Sequence, residues 1–246
     1  LSADTFDDLA MAIADAGMSA IAYDRRGFGQ SEQPWGGYDY NTLADDLADV
    51  MSAVDAHDAT LLGFSMGGGE VARYMSRHHG ANVVQAVLIA SVVPFMLQTP
   101  DNPDGLPQAV FDEMADGIRT DRALFWSGFF KTFYGVGIVS KPVTDEVLHW
   151  SRGLAMRASL KATLACANAF ATTDFRSDLG SFTVPTLIVH GTDDNTVPIV
   201  ASGRKAAAGI KNGRLIEYDG APHGLLASHK TQLTEDVLTF LKEWKA

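Results

Sequence analysis

The stretch Gly63-Phe64-Ser65-Met66-Gly67 sets a serine between two glycines, and Gly68 and Gly69 follow directly. Two unrelated chemistries use a turn of this composition. A phosphate cradle needs a lysine and a hydroxyl residue after its second conserved glycine, to reach the phosphates and the magnesium. Glu70 occupies that place. A dinucleotide-binding turn needs three spaced glycines after a strand and an acidic residue at the end of the next strand. Gly63, Gly67, Gly68 and Gly69 do not fit that spacing, and the next apolar run ends at Ser91.

As a nucleophile elbow, the same residues divide the work. Ser65 is expected on a sharp strand-to-helix turn that exposes its hydroxyl. Gly63 and Gly67 would remove Cβ atoms that collide across that turn. Gly68 and Gly69 would let the following helix pack closely on neighbouring strands. The backbone N–H of Met66, at the positive end of the helix, would face a developing oxyanion.

A serine hydroxyl reacts only when a base takes its proton, and the base must be oriented by a carboxylate. Of the seven histidines, His57, His78, His79 and His149 fall within or beside polar helical segments. His190 ends a buried strand and reads as a core residue. His223 lies in DGAPHGLL, a Gly/Pro loop between the last strand and the last helix, while His229 already begins the helical pattern. His223 is therefore the expected base. The expected acid lies in HGTDDNTVP, which offers Asp194 and, as the alternative, Asp193. One carboxylate could cap the turn while the other orients the histidine. The order serine, acid, histidine matches that of strand–turn–helix hydrolases.

These residues need a scaffold of strands and helices. Short apolar runs alternate with amphipathic stretches, which predicts parallel strands covered by helices, an α/β fold. The expected strands are Ser19 to Asp24, Ala59 to Phe64, Ala86 to Ser91, Pro185 to His190 and Arg214 to Tyr218. A helix is expected from a cap at Ser2 or Asp4 to Gly17. Another should span Tyr40 to Val54, with Leu43, Leu47, Val50 and Val54 on one face. The helix opened by Met66 follows the serine. Late helices are expected near Ile199 to Ala208 and Gln232 to Trp244. Between Met96 and Phe182 the alternation stops, and helices near Val143 to Arg157 and Leu160 to Ala171 suggest an insertion. The expected division is a core of 1–95 and 183–246 with a helical cap over 96–182. Phe125, Trp126, Phe129, Phe130, Phe133 and Tyr134 would form the core of that cap, part of it overhanging a pocket.

The 246 residues carry a formal net charge of −11 with 46% hydrophobic residues. This excludes a polyanion such as nucleic acid as the expected partner. Cys166 is the single cysteine, which excludes a disulfide framework within the chain and a multi-cysteine metal site, and fits a cytoplasmic protein. No apolar run is long enough to cross a bilayer, so no membrane role is expected.

The chain resembles the α/β-hydrolases, and within them the cofactor-free haloperoxidase and aryl esterase group that includes γ-lactamases. The resemblance rests on YDRRGFGQS (Tyr23 to Ser31), GFSMGGGEVARY (Gly63 to Tyr74), NPDGLP (Asn102 to Pro107), TDFRSDL (Thr173 to Leu179), HGTDDNTVP (His190 to Pro198) and GAPHGLL (Gly220 to Leu226). It implies Ser65 as nucleophile, Asp194 as acid, His223 as base, Met66 as one oxyanion donor, a helical cap, no metal and no haem. Members of the family carry three further strands at the front and an aromatic residue there that supplies the second oxyanion donor. The expectation is that about thirty residues precede Leu1 in the active protein, and that Ser19 to Asp24 does not pair with Ala59 to Phe64.

The resemblance implies cleavage of small carboxylic, including aryl, esters through an acyl-enzyme. Hydrogen peroxide in place of water would convert a short carboxylic acid to a peracid that oxidises halide. A γ-lactamase or lactonase is the nearer alternative, and a non-catalytic binding protein on the same scaffold the more distant one. Expected pocket residues are Phe64, Met66, Val92, Met96, Phe125, Trp126, Thr196 and Ile199. The expected partners are a small-molecule ester, a lactam, or a short carboxylic acid with peroxide; a homo-oligomer is left open.

Overall fold

A computed structural model describes residues 1–243. Four strands, β1 (Ala59–Phe64), β2 (Val83–Ile89), β3 (Thr186–Gly191) and β4 (Gly213–Tyr218), form one sheet in the order β1-β2-β3-β4, every neighbouring pair parallel. The central strands β2 and β3 are buried on both faces and read as nearly continuous apolar runs, whereas β4 leaves Arg214 and Glu217 exposed. In β2, Ala86 and Leu88 join one core, and Val87 and Ile89 the other. The first core is closed by α2 (Tyr40–Ala53), α3 (Met66–Arg77) and α7 (Gly203–Gly209). The second is closed by α1 (Asp7–Asp15), the single turn α8 (Leu225–Ser228) and α9 (Lys230–Glu243). Trp244, the expected end of the last helix, lies outside the described residues.

The side chain of Asp39 caps α2 by accepting from the N–H groups of Asn41 and Thr42, each at 3.1 Å. The buried face of α2 is Tyr40, Leu43, Ala44, Leu47 and Met51. Val54, expected on that face, is exposed just past the helix end. A short 3-10 turn (Ala3–Phe6) precedes α1, and Gly17, with φ +84°, stops the chain after it.

Ser19 to Asp24 does not form the expected strand, and it pairs with neither β1 nor any other strand among the described residues. An apolar run becomes a strand only where a neighbour completes its backbone hydrogen bonds. This segment has side-chain anchors instead. The Asp24 carboxylate accepts from the N–H groups of Ala3 and Gln30, each at 2.7 Å. Tyr23 and Arg25 both donate to the buried carboxylate of Glu70 on α3. Burial pushes the Glu70 carboxyl up from its ordinary range, and the Arg25 guanidinium opposes that shift.

Between β2 and β3 run α4 (Gln108–Phe133), α5 (Asp145–Arg157) and α6 (Leu160–Thr172). Helix α4 is broken at Asp121 (φ −152°, ψ 88°), whose side chain accepts from the Leu124 N–H at 2.9 Å and so caps the second half. That half carries the aromatic run, in which Phe130, Phe133 and Tyr134 are buried. No helix among the described residues is long and apolar enough to cross a membrane.

Candidate active site

Ser65 follows β1 directly, as the residue between strand and α3, with φ +53° and ψ −119°. A non-glycine residue in that region is strained, and the surroundings must hold it there. Its N–H donates to the Ile89 carbonyl at 2.8 Å, and its carbonyl accepts from Val92 at 3.3 Å, so β2 fixes the turn from the side. A Cβ on Gly63 would stand 2.5 Å from the Gly67 carbonyl oxygen, and backbone cannot yield to it. The close approach thus requires glycine at 63. At 67 an added Cβ meets nothing within 4 Å, so the collision expected for that residue does not arise. Gly68 lies against Ser91 at the end of β2, as expected for a helix pressed on the sheet. Gly69 packs instead on Tyr40 and Phe175.

The other two expected residues also lie beyond the C-terminal ends of strands, the side where α/β sheets gather their reacting groups. Asp194 lies in the turn after β3, and His223 in the loop after β4. The two segments are tied together by Thr192 N–H to the Tyr218 carbonyl (2.9 Å), Asp193 N–H to the Ala221 carbonyl (3.1 Å) and Gly220 N–H to the Thr192 hydroxyl (2.7 Å). From the other side, the Gly224 N–H donates to the Phe133 carbonyl at 2.8 Å.

These clamps leave His223 fully buried, with Nδ1 2.6 Å from Asp194 Oδ2 and Nε2 2.9 Å from Ser65 Oγ. Asp194 is buried while Asp193 is exposed, which decides between the two candidates for the carboxylate partner of His223. The division of labour differs from expectation, because Asp194 serves both tasks. Its Oδ1 accepts from the Thr196 and Val197 N–H groups at 2.9 and 2.7 Å, while Oδ2 faces His223. Burial disfavours the charged carboxylate, but the electrostatic attraction and hydrogen bond of the neighbouring His223, with the contact from His190, outweigh it, holding Asp194 well below the usual carboxylate range. An ionised carboxylate only accepts, so Nδ1 of His223 carries a proton. Nε2 is then free to accept the Ser65 hydroxyl proton.

The N–H of Met66 is the first of α3, among the four at a helix start that have no intrahelical acceptor. The remaining expected pocket residues are dispersed. Phe64 flanks the imidazole, with ring centroids 5.2 Å apart, and lines a cleft with Phe133, Tyr134, Trp150, Gly224 and Leu226. Val92 and Met96 lie in the main core, and Ile199 is also buried. Phe125 and Trp126 meet edge-on within the aromatic run of α4 and stack on Phe129 and Phe130 respectively. The Trp126 Nε1 and Thr196 Oγ1 atoms are buried without a hydrogen-bond partner among the described residues.

Two neighbours of the site were not singled out by sequence reasoning. Phe133 was placed only in the aromatic core, yet its ring meets the His223 imidazole. His190 was read as a core residue, and it is buried, but on Asp194 (Nε2 to Oδ2, 3.2 Å). A polar side chain ending an otherwise apolar buried strand requires a partner, and that requirement was the available signal. No cluster of three or more His, Cys, Asp or Glu side chains suited to a metal occurs among the described residues.

Serine, imidazole and carboxylate gathered beyond the strand ends of a parallel sheet define a class of protein. Residues 2–230 match the family model of the alpha/beta hydrolase fold, and the chain belongs to that family. It is 41% identical over 245 residues to the non-heme chloroperoxidase CPO-A1 of Kitasatospora aureofaciens, covering 99% of this chain and 89% of that one. It is 40% identical over 247 residues to the bifunctional esterase/perhydrolase DCH of Acinetobacter calcoaceticus, covering 98% and 88%. Among solved structures, the bromoperoxidase from Bacillus anthracis superposes with a TM-score of 0.95 at 40% identity, covering 98% of this chain and 88% of that one.

Proposed function

We propose that this protein is a serine hydrolase that cleaves small carboxylic esters, aryl esters among them, through an acyl-enzyme, and that it also transfers the acyl group to hydrogen peroxide. The observation that carries the reading is the continuous line from Asp194 Oδ2 through His223 to Ser65 Oγ, at 2.6 and 2.9 Å. The esterase/perhydrolase and haloperoxidase names of relatives near 40% identity support the choice of acyl chemistry.

In the proposed cycle His223 Nε2 takes the Ser65 proton as Oγ bonds to the ester carbonyl carbon. The oxyanion is stabilised by the Met66 N–H at the positive end of α3. The protonated imidazole, held by Asp194, then gives its proton to the departing alkoxide oxygen as the carbon–oxygen bond breaks. Water next attacks the acyl carbon and passes a proton to His223, which returns it to Ser65 Oγ as the carboxylic acid leaves. With hydrogen peroxide in place of water, the same proton transfers release a peracid. Residues 96–182 act in this reading as a helical cap whose aromatic face walls the acyl site. No cofactor is required, and the proposed compartment is the cytoplasm.

The test is turnover of p-nitrophenyl acetate by wild type and Ser65→Ala, with peracid formation from acetate and hydrogen peroxide measured in parallel. Both activities should vanish together in the variant; equal rates in the two proteins would refute the proposal.

A further inference from the structure

The imidazole of His190 takes no part in these steps, yet it is fully buried on the same carboxylate. Its Nε2 lies 2.8 Å from the Val197 carbonyl oxygen and 3.2 Å from Asp194 Oδ2, the oxygen that receives His223 Nδ1. A carbonyl oxygen only accepts, so Nε2 carries the proton and donates it to Val197, with Asp194 Oδ2 close beside the same N–H. The other nitrogen, Nδ1, is buried without a hydrogen-bond partner among the described residues. It packs against Gly203, where a Cβ would stand 2.8 Å away. A proton on Nδ1 would have no acceptor, so the neutral Nε2–H tautomer is the one that fits.

Asp194 is therefore surrounded by four protein donors. The Thr196 and Val197 amides hold Oδ1, and two imidazoles approach Oδ2. The amides alone would fix the position of the carboxylate. What His190 adds is a second N–H beside the oxygen that faces His223, whose positive end draws off part of its charge, and a bond from the end of β3 to the far end of the Asp194 turn.

We propose that His190 is a positioning residue for the Ser65–His223 pair: its Nε2–H, bonded to the Val197 carbonyl and 3.2 Å from Asp194 Oδ2, holds the Asp194 turn in place and moderates the charge that oxygen presents to His223. The proposal rests on the catalytic reading of Ser65, His223 and Asp194. The other titratable groups set against this assembly are Tyr134 beside Gly224, Asp4 and Asp8 along the cleft shared with Phe64, and Glu217, which faces His190 across β3 and β4 and is paired with Arg204. The variants below leave all of them unchanged.

The experiment compares wild type, His190→Leu and His190→Gln in p-nitrophenyl acetate hydrolysis across pH. Leucine removes the donor, whereas the glutamine amide can restore one near the position of Nε2. His190→Leu should lower kcat about tenfold, the scale expected for losing one hydrogen bond to a charged group, with little change in KM. Its acid limb should move to higher pH, because the unshared carboxylate charge stabilises the imidazolium more strongly. His190→Gln should return both properties toward wild type. A folded His190→Leu enzyme with an unmoved acid limb, or leucine and glutamine variants that behave alike, overturns the proposal.

Should the leucine variant fail to fold, nitrogen NMR of wild-type histidines decides the matter. A proton on Nε2 of His190 supports the role, and a proton on Nδ1 overturns it. Ser65→Ala is the separate control. Unchanged turnover there defeats the catalytic reading, while the His190 tautomer still reports the hydrogen bond to Val197 on which the positioning role depends.

Discussion

The ring of Phe133 stands edge-on to the imidazole of His223, with centroids 4.7 Å apart and planes at 75°. The same residue's carbonyl accepts the Gly224 N–H. The last turn of α4 therefore holds the histidine loop through both side chain and backbone. Phe133→Ala should lower unfolding stability by about 3–5 kcal/mol, as for other buried Phe truncations, and reduce kcat. Phe133→Leu, closer in volume, should cost under about 1.5 kcal/mol. Urea denaturation with steady-state kinetics checks both, and equal stability of the three proteins would contradict the packing role.

Ser65 holds a positive φ that glycine adopts without a Cβ penalty. Ser65→Gly and Ser65→Ala should both be inactive, but the glycine variant should be more stable than the alanine variant by about 1 kcal/mol. Thermal unfolding of the pair tests this. An alanine variant as stable as the glycine variant would mean that the turn carries no strain.

Asp194 titrates below the ordinary carboxylate range in the folded protein. A depressed native pKa contributes stability that is fully present above the unfolded value, roughly pH 4, and is lost as pH falls toward the native one. The stability difference between wild type and Asp194→Asn should therefore shrink on acidification below about pH 4. At neutral pH the asparagine variant should lose roughly four orders of magnitude in kcat; that magnitude comes from the equivalent change in chymotrypsin-type proteases. Denaturant titrations at several pH values provide the check, and a constant difference across that window would refute the linkage.

An added Cβ on Gly68 would collide with the Ser91 side chain. Gly68→Ala should destabilise by about 1–3 kcal/mol, the usual range for overpacking, and lower kcat by shifting α3 and its first N–H groups. Adding Ser91→Gly should recover part of the loss. A double-mutant cycle measures the coupling, and strictly additive effects would show that the two residues do not meet.

Much of this arrangement was legible beforehand because its signals are local. Both-face burial makes β2 and β3 apolar runs, and a strand entering a glycine-flanked serine marks the turn at Ser65. The chain order of Ser65, Asp194 and His223 followed from the same reading. What could not be read depends on distant partners. Ser19 to Asp24 has a strand's composition, but a strand also needs a neighbour, which composition does not encode. Val54 continues the spacing of Leu43 and Leu47, yet the chain leaves the helix before it, and Met51 takes the buried place. Helix α4 has no clear sequence signature because the break at Asp121 and the dense aromatic run obscure any 3.6-residue period. Nothing near His190 or Phe133 in sequence announces their meeting with Asp194 and His223.

Ser65 and His223 stand 158 positions apart along the chain, and Asp194 reaches them only from the turn after β3. Contacts of such separation form only after long loops have closed. In a chain whose β4 had not docked, the proposed nucleophile would therefore stand as an isolated, unreactive hydroxyl. Substrate turnover thus doubles as a gauge of complete assembly, and its recovery during refolding should trail the return of helical signal.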